Sequence, residues 1–591
     1  MDQIVSPATS AARLGVVAGA ALALLAAMPR PAAAQAESFR PVTTERLEHP
    51  DPSDWLSYSR TPNAQRYSPL DQIDRDNVGE LRMAWSRGMG PGTLESIPIV
   101  ANGIMYMLTP TAIVQAIDAT SGDLIWQYQP EGVDLQSNSR ERSKSLAIYD
   151  DVILLSGPNS TMYGIDARTG EERWHTKADD RGHTSAPIVA DGKVITGGTC
   201  TDGLRKNCYI SAHDARTGEL VWKFYTAQAP DDPPGYDTWG GAPVETRRAS
   251  TWGMAGSYDP ERRLVYWGIA NPTPNTRLAR HGGNPDAIKA SSPADLYSDS
   301  TVALDVDTGK LVWYYQHLPG DDWDLDYTNE RILVHTPVDP DPAAVKWINP
   351  RIPRNVARDI VVAVGEPGGL FALDADTGEF LWATPFPYDV ENFHIKDINV
   401  ETGEVFPNYD LGFRVPGEHH QICFQNTTSF WPAAYHPGTN SLYVPWVDTC
   451  LDMTAGDPPA RDQRHEIMHS ERPDEFAGLA KVDMETGRIV QIYKGRAPGN
   501  GAVLTTAGGL VFWGDLDRRF RAFDAETGKI LWETVLGGSI QMSTITYAVD
   551  GRQYVAVFTG EGLLTGGLIS LAQIHPARNF NAVYAFALPD Y

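Results

Sequence analysis

Two acidic side chains, Asp324 and Asp326, lie two residues apart in the segment DDWDLDYTNE, residues 321–330. In an extended segment the side chains at positions i and i+2 point the same way, so Asp326 can reach a cation that Asp324 approaches. A carboxylate beside a cation stays ionised and can serve as a general base. The spacing therefore allows metal-assisted chemistry, and the alternative is that Asp326 is a solvated loop residue or a turn cap.

A repeat along the chain predicts the elements that position this pair. Each copy has an apolar strand end, an Asp, a Thr-Gly or Ser-Gly turn and a second strand, as in AIDATSGDLIW and ALDVDTGKLVW, which is a hairpin pattern. Six copies end in tryptophan: Trp126, Trp174, Trp222, Trp313, Trp382 and Trp532. A weaker copy begins at Ala480, and most copies follow another hairpin signal. Four short strands per unit predict a β-propeller.

The two ends of the chain supply one further blade. LRMAWS near Trp85 and NAVYAFALPD at the C-terminus can pair, and such closure removes the open sheet edge. We therefore predict an all-β fold over residues 37–591: one eight-bladed β-propeller of four-stranded antiparallel blades, in which the recurrent tryptophans dock between blades. Long insertions follow four of the copies, and a site is expected where these loops cap one face.

Composition and the N-terminus restrict the possible partners and location. The 591-residue chain has 49 basic and 75 acidic residues and a formal net charge of -26, which argues against binding nucleic acid or anionic lipid and favours a basic partner. Arg13, an apolar run over residues 14–28 and small residues near Ala34 and Ala36 predict a signal peptide over residues 1–36 and export to the periplasm. The alternative is a membrane anchor, but about 15 apolar residues are too few to span a bilayer.

The four cysteines, Cys200, Cys208, Cys423 and Cys450, can form disulfides in an exported protein. The economical pairing is Cys200 with Cys208 and Cys423 with Cys450, although the sequence alone permits three connectivities. The sequence has no CxxCH motif for covalent haem attachment and no CxxC motif. The usual zinc and thioredoxin-like interpretations therefore do not apply.

Three longer segments carry a resemblance to a known family. They are DTGKLVWYYQHLPGDDWDLD, STWGMAGSYDPERRLVYWGIANPTP (residues 250–274) and AGGLVFWGDLDRRFRAFDAETGKILWE (residues 507–533). From about Trp55 to near the C-terminus, the chain resembles the alcohol dehydrogenases that depend on pyrroloquinoline quinone (PQQ), the quinoproteins related to methanol dehydrogenase. The resemblance implies oxidation of an alcohol to an aldehyde or ketone by hydride transfer to the quinone. Because the chain has no haem motif, electrons are expected to pass to a separate soluble cytochrome c.

Two other interpretations remain open. One is a non-catalytic propeller that resembles outer-membrane assembly scaffolds, which share the repeat but have no reason to keep these motifs together. The other is a calcium-dependent quinoprotein for bulky secondary alcohols, like those that oxidise polyvinyl alcohol or mycotoxins.

The resemblance implies a set of residues around the quinone. Trp252 is expected to lie flat against the planar cofactor. In the family, polar residues bond the quinone or pair with its carboxylates. Seven polar residues here match such positions or are candidates for them: Arg142, Lys144, Thr184, Thr199, Ser250, Thr251 and Asn392. Together with Trp252 and Glu366, these residues are the predicted cofactor site.

The resemblance also implies a metal site. Asp202, Asn271 and Asp324 match the family's metal ligands, and Asp324 also matches the general base. An Asp at the position of Asp326 marks the lanthanide-dependent branch, whereas calcium enzymes generally have a smaller or uncharged residue there. A trivalent hard cation rewards one more oxygen anion. The implied cofactors are therefore PQQ and one metal ion, either Ca²⁺ or a lanthanide.

Two positions depart from the family pattern. The family's adjacent-cysteine pair is absent from residues 134–151, and Glu366 stands where the family has a Lys or Arg that bonds the quinone oxygen and the catalytic Asp. An ionised acid cannot donate that hydrogen bond. Either a nearby cation such as Arg358 substitutes, or Glu366 is held by the metal or by a proton. The missing pair and the unusual loops favour a bulky or secondary alcohol over methanol.

Overall fold

The computed structural model describes residues 39–110, 112–131, 144–157, 161–178, 185–200, 203–458, 460–469 and 471–590. From Phe39 onward the chain forms one compact unit. The predicted signal peptide and three predicted site residues, Arg142, Thr184 and Asp202, lie outside the described residues.

Helix is scarce in the described part of the chain. The α-helices are α1 (Thr44–Glu48), α2 (Arg277–Arg280) and α3 (Thr565–Ala572). Single 3₁₀ turns cover Val78–Glu80, Arg205–Asn207, Val244–Thr246, Tyr409–Leu411, Pro437–Thr439 and Pro473–Glu475. Among these residues no helix has the length and apolar character to cross a membrane.

Most of the chain forms four-stranded sheets. Two strands near the N-terminus, β1 (Tyr67–Ser68) and β2 (Arg82–Gly88), join sheets that are completed late in the chain. The next four sheets follow the chain in order: β3 (Ile99–Ala101), β4 (Ile104–Leu108), β5 (Val114–Asp118) and β6 (Leu124–Tyr128); β7 (Ala147–Tyr149), β8 (Val152–Ser156), β9 (Thr161–Asp166) and β10 (Glu172–Lys177); β11 (Ile188–Ala190), β12 (Lys193–Gly197), β13 (Tyr209–Asp214) and β14 (Leu220–Tyr225); β15 (Ser257–Asp259), β16 (Leu264–Gly268), β17 (Ser300–Asp305) and β18 (Leu311–Gln316).

The later sheets carry insertions. A five-stranded sheet contains β19 (Ile332–Val338), β20 (Trp347–Ile348), β21 (Val356–Val364), β22 (Gly369–Asp374) and β23 (Phe380–Pro385). A hairpin follows, formed by β24 (Ile395–Ile398) and β25 (Val405–Pro407). The next sheet, which we call the insertion sheet, has three strands: β26 (His419–Cys423), β29 (Thr449–Thr454) and β30 (Gln463–Met468). It is interleaved with β27 (Ala434–His436), β28 (Ser441–Val447), β31 (Ala477–Asp483) and β32 (Ile489–Gly495), which form a sheet of their own.

The last two sheets join the two ends of the chain. In one, β1 pairs in parallel with β33 (Leu504–Thr506), which continues through β34 (Leu510–Gly514), β35 (Arg519–Asp524) and β36 (Ile530–Val535). In the other, β37 (Ile545–Val549), β38 (Arg552–Thr559) and β39 (Ala582–Ala587) are completed by β2. The β2–β39 register runs from Arg82 opposite Ala587 to Gly88 opposite Ala582, which confirms the predicted pairing of the two ends. The sequence's antiparallel four-stranded sheets are also confirmed, while the count of eight blades stays a prediction.

The repeat is explained by contacts between successive copies. The Trp126 indole N–H donates to the carbonyl of Ala167 in the next copy at 3.1 Å. A Cβ on Gly170, in that copy's turn, would lie 2.7 Å from the Trp126 ring, and Gly170 has φ +76°. The turn therefore needs glycine both for its backbone conformation and for the approach of the ring. Trp222 and Trp313 donate in the same way to carbonyls of the next copy, so these three tryptophans are packing residues, as the repeat predicts.

Two disulfides are present, Cys200–Cys208 and Cys423–Cys450, the economical pairing among those that the sequence permits. The second joins β26 to β29, where Cys423 and Cys450 face each other in register. It therefore ties together two of the three strands of the insertion sheet.

Candidate functional site

A cavity of about 300 Å³ brings together residues from distant parts of the chain. Four predicted site residues line it: Trp252, Asp324, Asp326 and Glu366. The other lining residues are Gln425, Asn426, Ser429, Phe430, Leu451, Arg464, Glu466, Leu563 and Leu564. Most of this second group comes from the insertion sheet and the loops beside it, which the sequence analysis did not assign to the site.

Asn271 connects the two aspartates. Its side-chain Nδ2 donates to Asp324 Oδ1 at 2.7 Å, and its backbone N–H donates to Asp326 Oδ1 at 2.8 Å. Asn271 follows β16, whereas both aspartates lie in the loop between β18 and β19, so the site forms where these two segments meet. The structure therefore unites three of the four predicted metal ligands, and the alternative that Asp326 is a solvated loop residue is wrong because its side chain is buried.

Trp252 contacts this group through its indole nitrogen. Trp252 Nε1 donates to Asp326 Oδ2 at 2.6 Å, so both oxygens of Asp326 accept from N–H donors. The Trp252 ring meets Phe430 edge-on with the ring centroids 6.4 Å apart. Lys144 Nζ lies 4.3 Å from the centre of the Phe430 ring and 5.8 Å from that of Trp252. Trp252 and Phe430 thus line the cavity, and the Lys144 ammonium lies beside their rings without being a lining residue itself.

Lys144 has a buried acidic partner that the sequence analysis missed. Its ammonium forms an ion pair with Glu95, and both side chains are almost fully buried. Glu95 is 49 residues upstream and belongs to no motif of the resemblance, so only the fold brings the pair together. Because the pair is buried, the position of Lys144 is fixed by its partner as well as by the aromatic rings.

The small polar residues before Trp252 are also buried. Thr251 Oγ1 donates to the carbonyl of Gly198 at 3.2 Å, which places it beside Thr199. The Ser250 hydroxyl is buried and has no hydrogen-bond partner among the described residues. A buried polar atom without a partner marks a place for a group that the protein itself does not supply.

Asn392 is placed outside this group. Its backbone carbonyl accepts a hydrogen bond from Cys423 N at 3.0 Å, and it is not among the residues that line the cavity. A contact between its side chain and a quinone stays a prediction.

Glu366 is held next to Asp326. Ser429 Oγ donates to Glu366 Oε1 at 2.6 Å, and the backbone N–H of Asp326 faces Glu366 Oε2 at 3.4 Å. Burial, followed by the charge of Asp326, raises the pKa of Glu366 well above its usual value. Burial and then the charge of Asp324 raise the pKa of Asp326 to about 7. Without a cation in the cavity, a proton on this pair is therefore favoured at neutral pH.

The nearby cation is Arg464 and not Arg358. Arg358 NH1 lies 3.8 Å from Asp374, away from the cavity lining. Arg464, on β30, forms an ion pair with Asp324 through NH1 and donates from NH2 to the carbonyl of Trp323 at 3.0 Å. In the sequence, Arg464 is one of four consecutive polar residues at the start of β30, which does not reveal a partner 140 residues away.

The residues present fit a hard metal ion and a planar anionic cofactor. The described lining residues carry four carboxylates, Asp324, Asp326, Glu366 and Glu466, and one guanidinium. Such an excess of acid in one cavity is stabilised by a cation, and oxygen donors are those that calcium and similar hard ions prefer. Beside them, the Trp252 ring and the Lys144 ammonium offer a flat surface and a positive charge.

The raised carboxyl pKa values predict a pH-dependent effect of metal on stability. An acid whose pKa is raised by folding costs stability as the pH rises from the unfolded value of about 4 through the folded value, here about 7 for Asp326. Metal binding requires the ionised carboxylates, so it offsets that cost. We expect La³⁺ or Ca²⁺ to raise the melting temperature more at about pH 8 than at about pH 5. Scanning calorimetry of metal-stripped protein tests this, and an equal increase at both pH values would contradict it.

Trp252 is expected to carry much of the affinity for the quinone. Trp252→Ala should weaken PQQ binding by about tenfold or more, because it removes a stacking surface worth about 1–3 kcal/mol. Trp252→Phe keeps a ring but loses the hydrogen bond to Asp326. Its affinity for PQQ should therefore lie between those of the wild-type protein and Trp252→Ala. Equilibrium dialysis with PQQ measures this, and an unchanged affinity in the alanine variant would refute the stacking role.

Comparison with known proteins identifies the family of this chain. The chain matches the PQQ family model described as glucose/ethanol/alcohol dehydrogenase, beta-propeller domain, over residues 55–384 and 456–555. It is 30% identical over 558 residues to the quinohemoprotein alcohol dehydrogenase ADH-IIG of Pseudomonas putida, covering 87% of this chain and 73% of that protein.

Solved structures agree as well. The structure of ADHIIG from Pseudomonas putida HK5 has a TM-score of 0.78 at 28% identity, with 93% of this chain and 82% of that chain covered. A europium-containing methanol dehydrogenase has a TM-score of 0.76 at 27% identity, with 92% and 100% covered. The matched ranges include Trp252, Asn271, Asp324, Asp326 and Glu366. The chain belongs to the PQQ family of glucose, ethanol and alcohol dehydrogenases with a β-propeller domain.

Proposed function

We propose that this protein oxidises an alcohol to an aldehyde or ketone with PQQ and one metal ion, and passes the electrons to a separate cytochrome c. The observation that carries the proposal is the joining of Asp324 and Asp326 through Asn271 at a cavity bordered by Trp252. We further propose that residues 1–36 are a signal peptide and that residues 37–591 act in the periplasm as a single propeller domain.

When bound, PQQ would supply the acceptor for the hydride of the alcohol, and the metal ion would supply Lewis acidity. Asp324 accepts the proton of the substrate hydroxyl. Its side chain is 32% exposed, in contrast with the buried Asp326 and Glu366, so it is the carboxylate of the three that a substrate can reach. Arg464 on one oxygen and Asn271 on the other fix the direction of its carboxylate.

Asn271, Asp324 and Asp326 would hold the metal ion, and Asp202 is proposed to complete the set. Trp252 would support the quinone from one face, with Lys144 and the hydroxyls of Ser250 and Thr251 near its polar edge. Phe430 and Leu451 line the same cavity and would exclude water from the reacting atoms.

The substrate is proposed to be a bulky or secondary alcohol. Leu451, Leu563 and Leu564 supply an apolar side to the cavity, and Leu563 is 55% exposed at its edge. An apolar edge of this kind accommodates carbon substituents that methanol lacks. The formal net charge of -26 favours a basic cytochrome c as the electron acceptor, and the chain has no haem-attachment motif of its own.

One reconstitution experiment tests the proposed function. Metal-stripped protein is supplied with PQQ and either Ca²⁺ or La³⁺, and dye reduction is followed with a panel of primary and secondary alcohols. We expect oxidation that requires the quinone and a metal, with higher kcat/KM for the larger secondary alcohols. Activity that does not depend on added PQQ, or no quinone binding with either metal, would contradict the proposal, and the second result would favour the scaffold interpretation.

A further inference from the structure

One cationic side chain of the insertion sheet, that of Arg464, lines the cavity. Within the described residues, Arg464 is the only cation among the lining residues, and it stands on β30 opposite Met453 of β29. Its side chain is 26% exposed and Asp324, its partner, is 32% exposed. Both side chains are therefore partly exposed within the cavity, and the ion pair is part of the site itself.

The guanidinium of Arg464 holds the loop at two places. NH1 pairs with the Asp324 carboxylate, and NH2 donates to the carbonyl of the preceding residue, Trp323. A planar guanidinium that makes two bonds fixes the direction of its partner as well as its charge.

The backbone of Asp324 needs such support. Its φ is +69°, in the left-handed region that non-glycine residues rarely adopt. A residue keeps this conformation only where its surroundings hold it. Asn271 Nδ2 on Oδ1 and Arg464 NH1 on Oδ2 are contacts that hold its carboxylate from two sides.

The insertion sheet is itself tied down by a disulfide. Cys423 and Cys450 join β26 to β29, and Cys450 lies opposite Ile467 of β30, three residues from Arg464. The disulfide thus fixes the strand on which β30 is paired, close to the residue that reaches the cavity.

We propose that Arg464 is a positioning residue of the reaction, which directs the Asp324 carboxylate into the cavity, and that the Cys423–Cys450 disulfide acts on the reaction by fixing the sheet that carries Arg464. This inference rests on the proposed function, because it assigns Arg464 to the same step as Asp324. It goes beyond that function because it gives the insertion sheet and its disulfide a part in the chemistry.

The test compares Arg464→Met, which keeps the length of the side chain without its charge, with Arg464→Lys, which keeps the charge but not the two-point contact. We expect Arg464→Met to lower kcat by about 100-fold, the cost of a misplaced catalytic group, with little change in PQQ affinity. Arg464→Lys should recover part of that loss. Arg461→Ala, at an exposed arginine just before the same strand, is the matched control and should behave like wild type. Wild-type kcat in Arg464→Met would overturn the proposal.

A crystal structure of Arg464→Met gives a readout that does not need activity. We expect the Asp324 carboxylate to turn away from the position that it occupies beside Asn271 and Arg464. An unmoved Asp324 would overturn the positioning role, even if turnover were lost. If wild-type protein showed no quinone-dependent oxidation, the proposed function would fail, while this comparison would still decide whether Arg464 positions Asp324.

A double-mutant cycle tests the disulfide. Replacing Cys423 and Cys450 together by serine should lower kcat in the wild-type background and have no further effect in the Arg464→Met background, because both changes act on one contact. Losses that simply add would show that the disulfide acts independently of Arg464 and would overturn that half of the proposal.

Discussion

Asp324→Asn is expected to lower kcat for alcohol oxidation by about 10²- to 10⁴-fold, the range for loss of a general base. The amide has nearly the same shape as the carboxylate, so the contact with Asn271 Nδ2 can persist through the amide oxygen. It cannot take up the substrate proton, and it loses the ion pair with Arg464. Stopped-flow measurement of a single turnover with PQQ-loaded protein isolates the chemical step.

The control is Asp389→Asn, at a side chain that is 57% exposed and pairs with Lys346 on the surface. This variant should retain wild-type kcat, and both proteins should bind PQQ with similar affinity. Turnover in Asp324→Asn close to that of the control would rule out Asp324 as the base. Loss of PQQ binding in Asp324→Asn alone would instead assign Asp324 to cofactor binding.

Asp326→Ala is expected to abolish lanthanide-supported activity and to reduce calcium-supported activity much less. We predict Asp326 to be a third oxygen ligand beside Asp324 and Asn271, which contact it or share its cluster, and a trivalent ion gains more from the added anion than a divalent one. The same change leaves Trp252 Nε1 and Asn271 N without their acceptor, at a cost of about 1–3 kcal/mol for each buried group. Some loss of calcium-supported activity is therefore expected because these hydrogen bonds are broken, whether or not Asp326 binds calcium.

Asp326→Asn separates these two effects. The amide retains one acceptor oxygen and the volume of the side chain but removes the negative charge. We expect it to keep more of the calcium-supported activity than Asp326→Ala does, and to lose the lanthanide-supported activity equally. Eu³⁺ luminescence titration measures the affinity for the metal without turnover. Equal losses with both metals in both variants would mean that Asp326 has only a structural role.

Several features of the site could be predicted because they lie within short motifs. Asp324 and Asp326 are two residues apart, and Trp252 and Asn271 fall in one continuous segment of the resemblance. The structure brings all four together. Glu366 was identified as an acid at an unexpected position, but the sequence left open what holds it. Its partner Ser429 lies 63 residues away, in a loop without a repeat.

By itself the sequence determined the architecture of this protein. A hairpin with a tryptophan after a Thr-Gly or Ser-Gly turn is a local structure, because the turn requires glycine at Gly170 and its equivalents, and at Gly170, Gly218, Gly309 and Gly378 the docking tryptophan ring requires it too. Repetition of that unit predicts the propeller, and the pairing of β2 with β39 follows from the strand patterns at the two ends.

Only the tertiary structure decided which cations and acids meet at the site. Arg464 pairs with Asp324 across 140 residues, and Lys144 pairs with Glu95 across 49. Insertions carry no periodic pattern that would predict where their side chains point, because their direction is set by packing on the propeller and by the Cys423–Cys450 disulfide. Charge pairing in the cavity therefore depends on the folded structure. The repeats and the short motifs, in contrast, can be identified from the sequence alone.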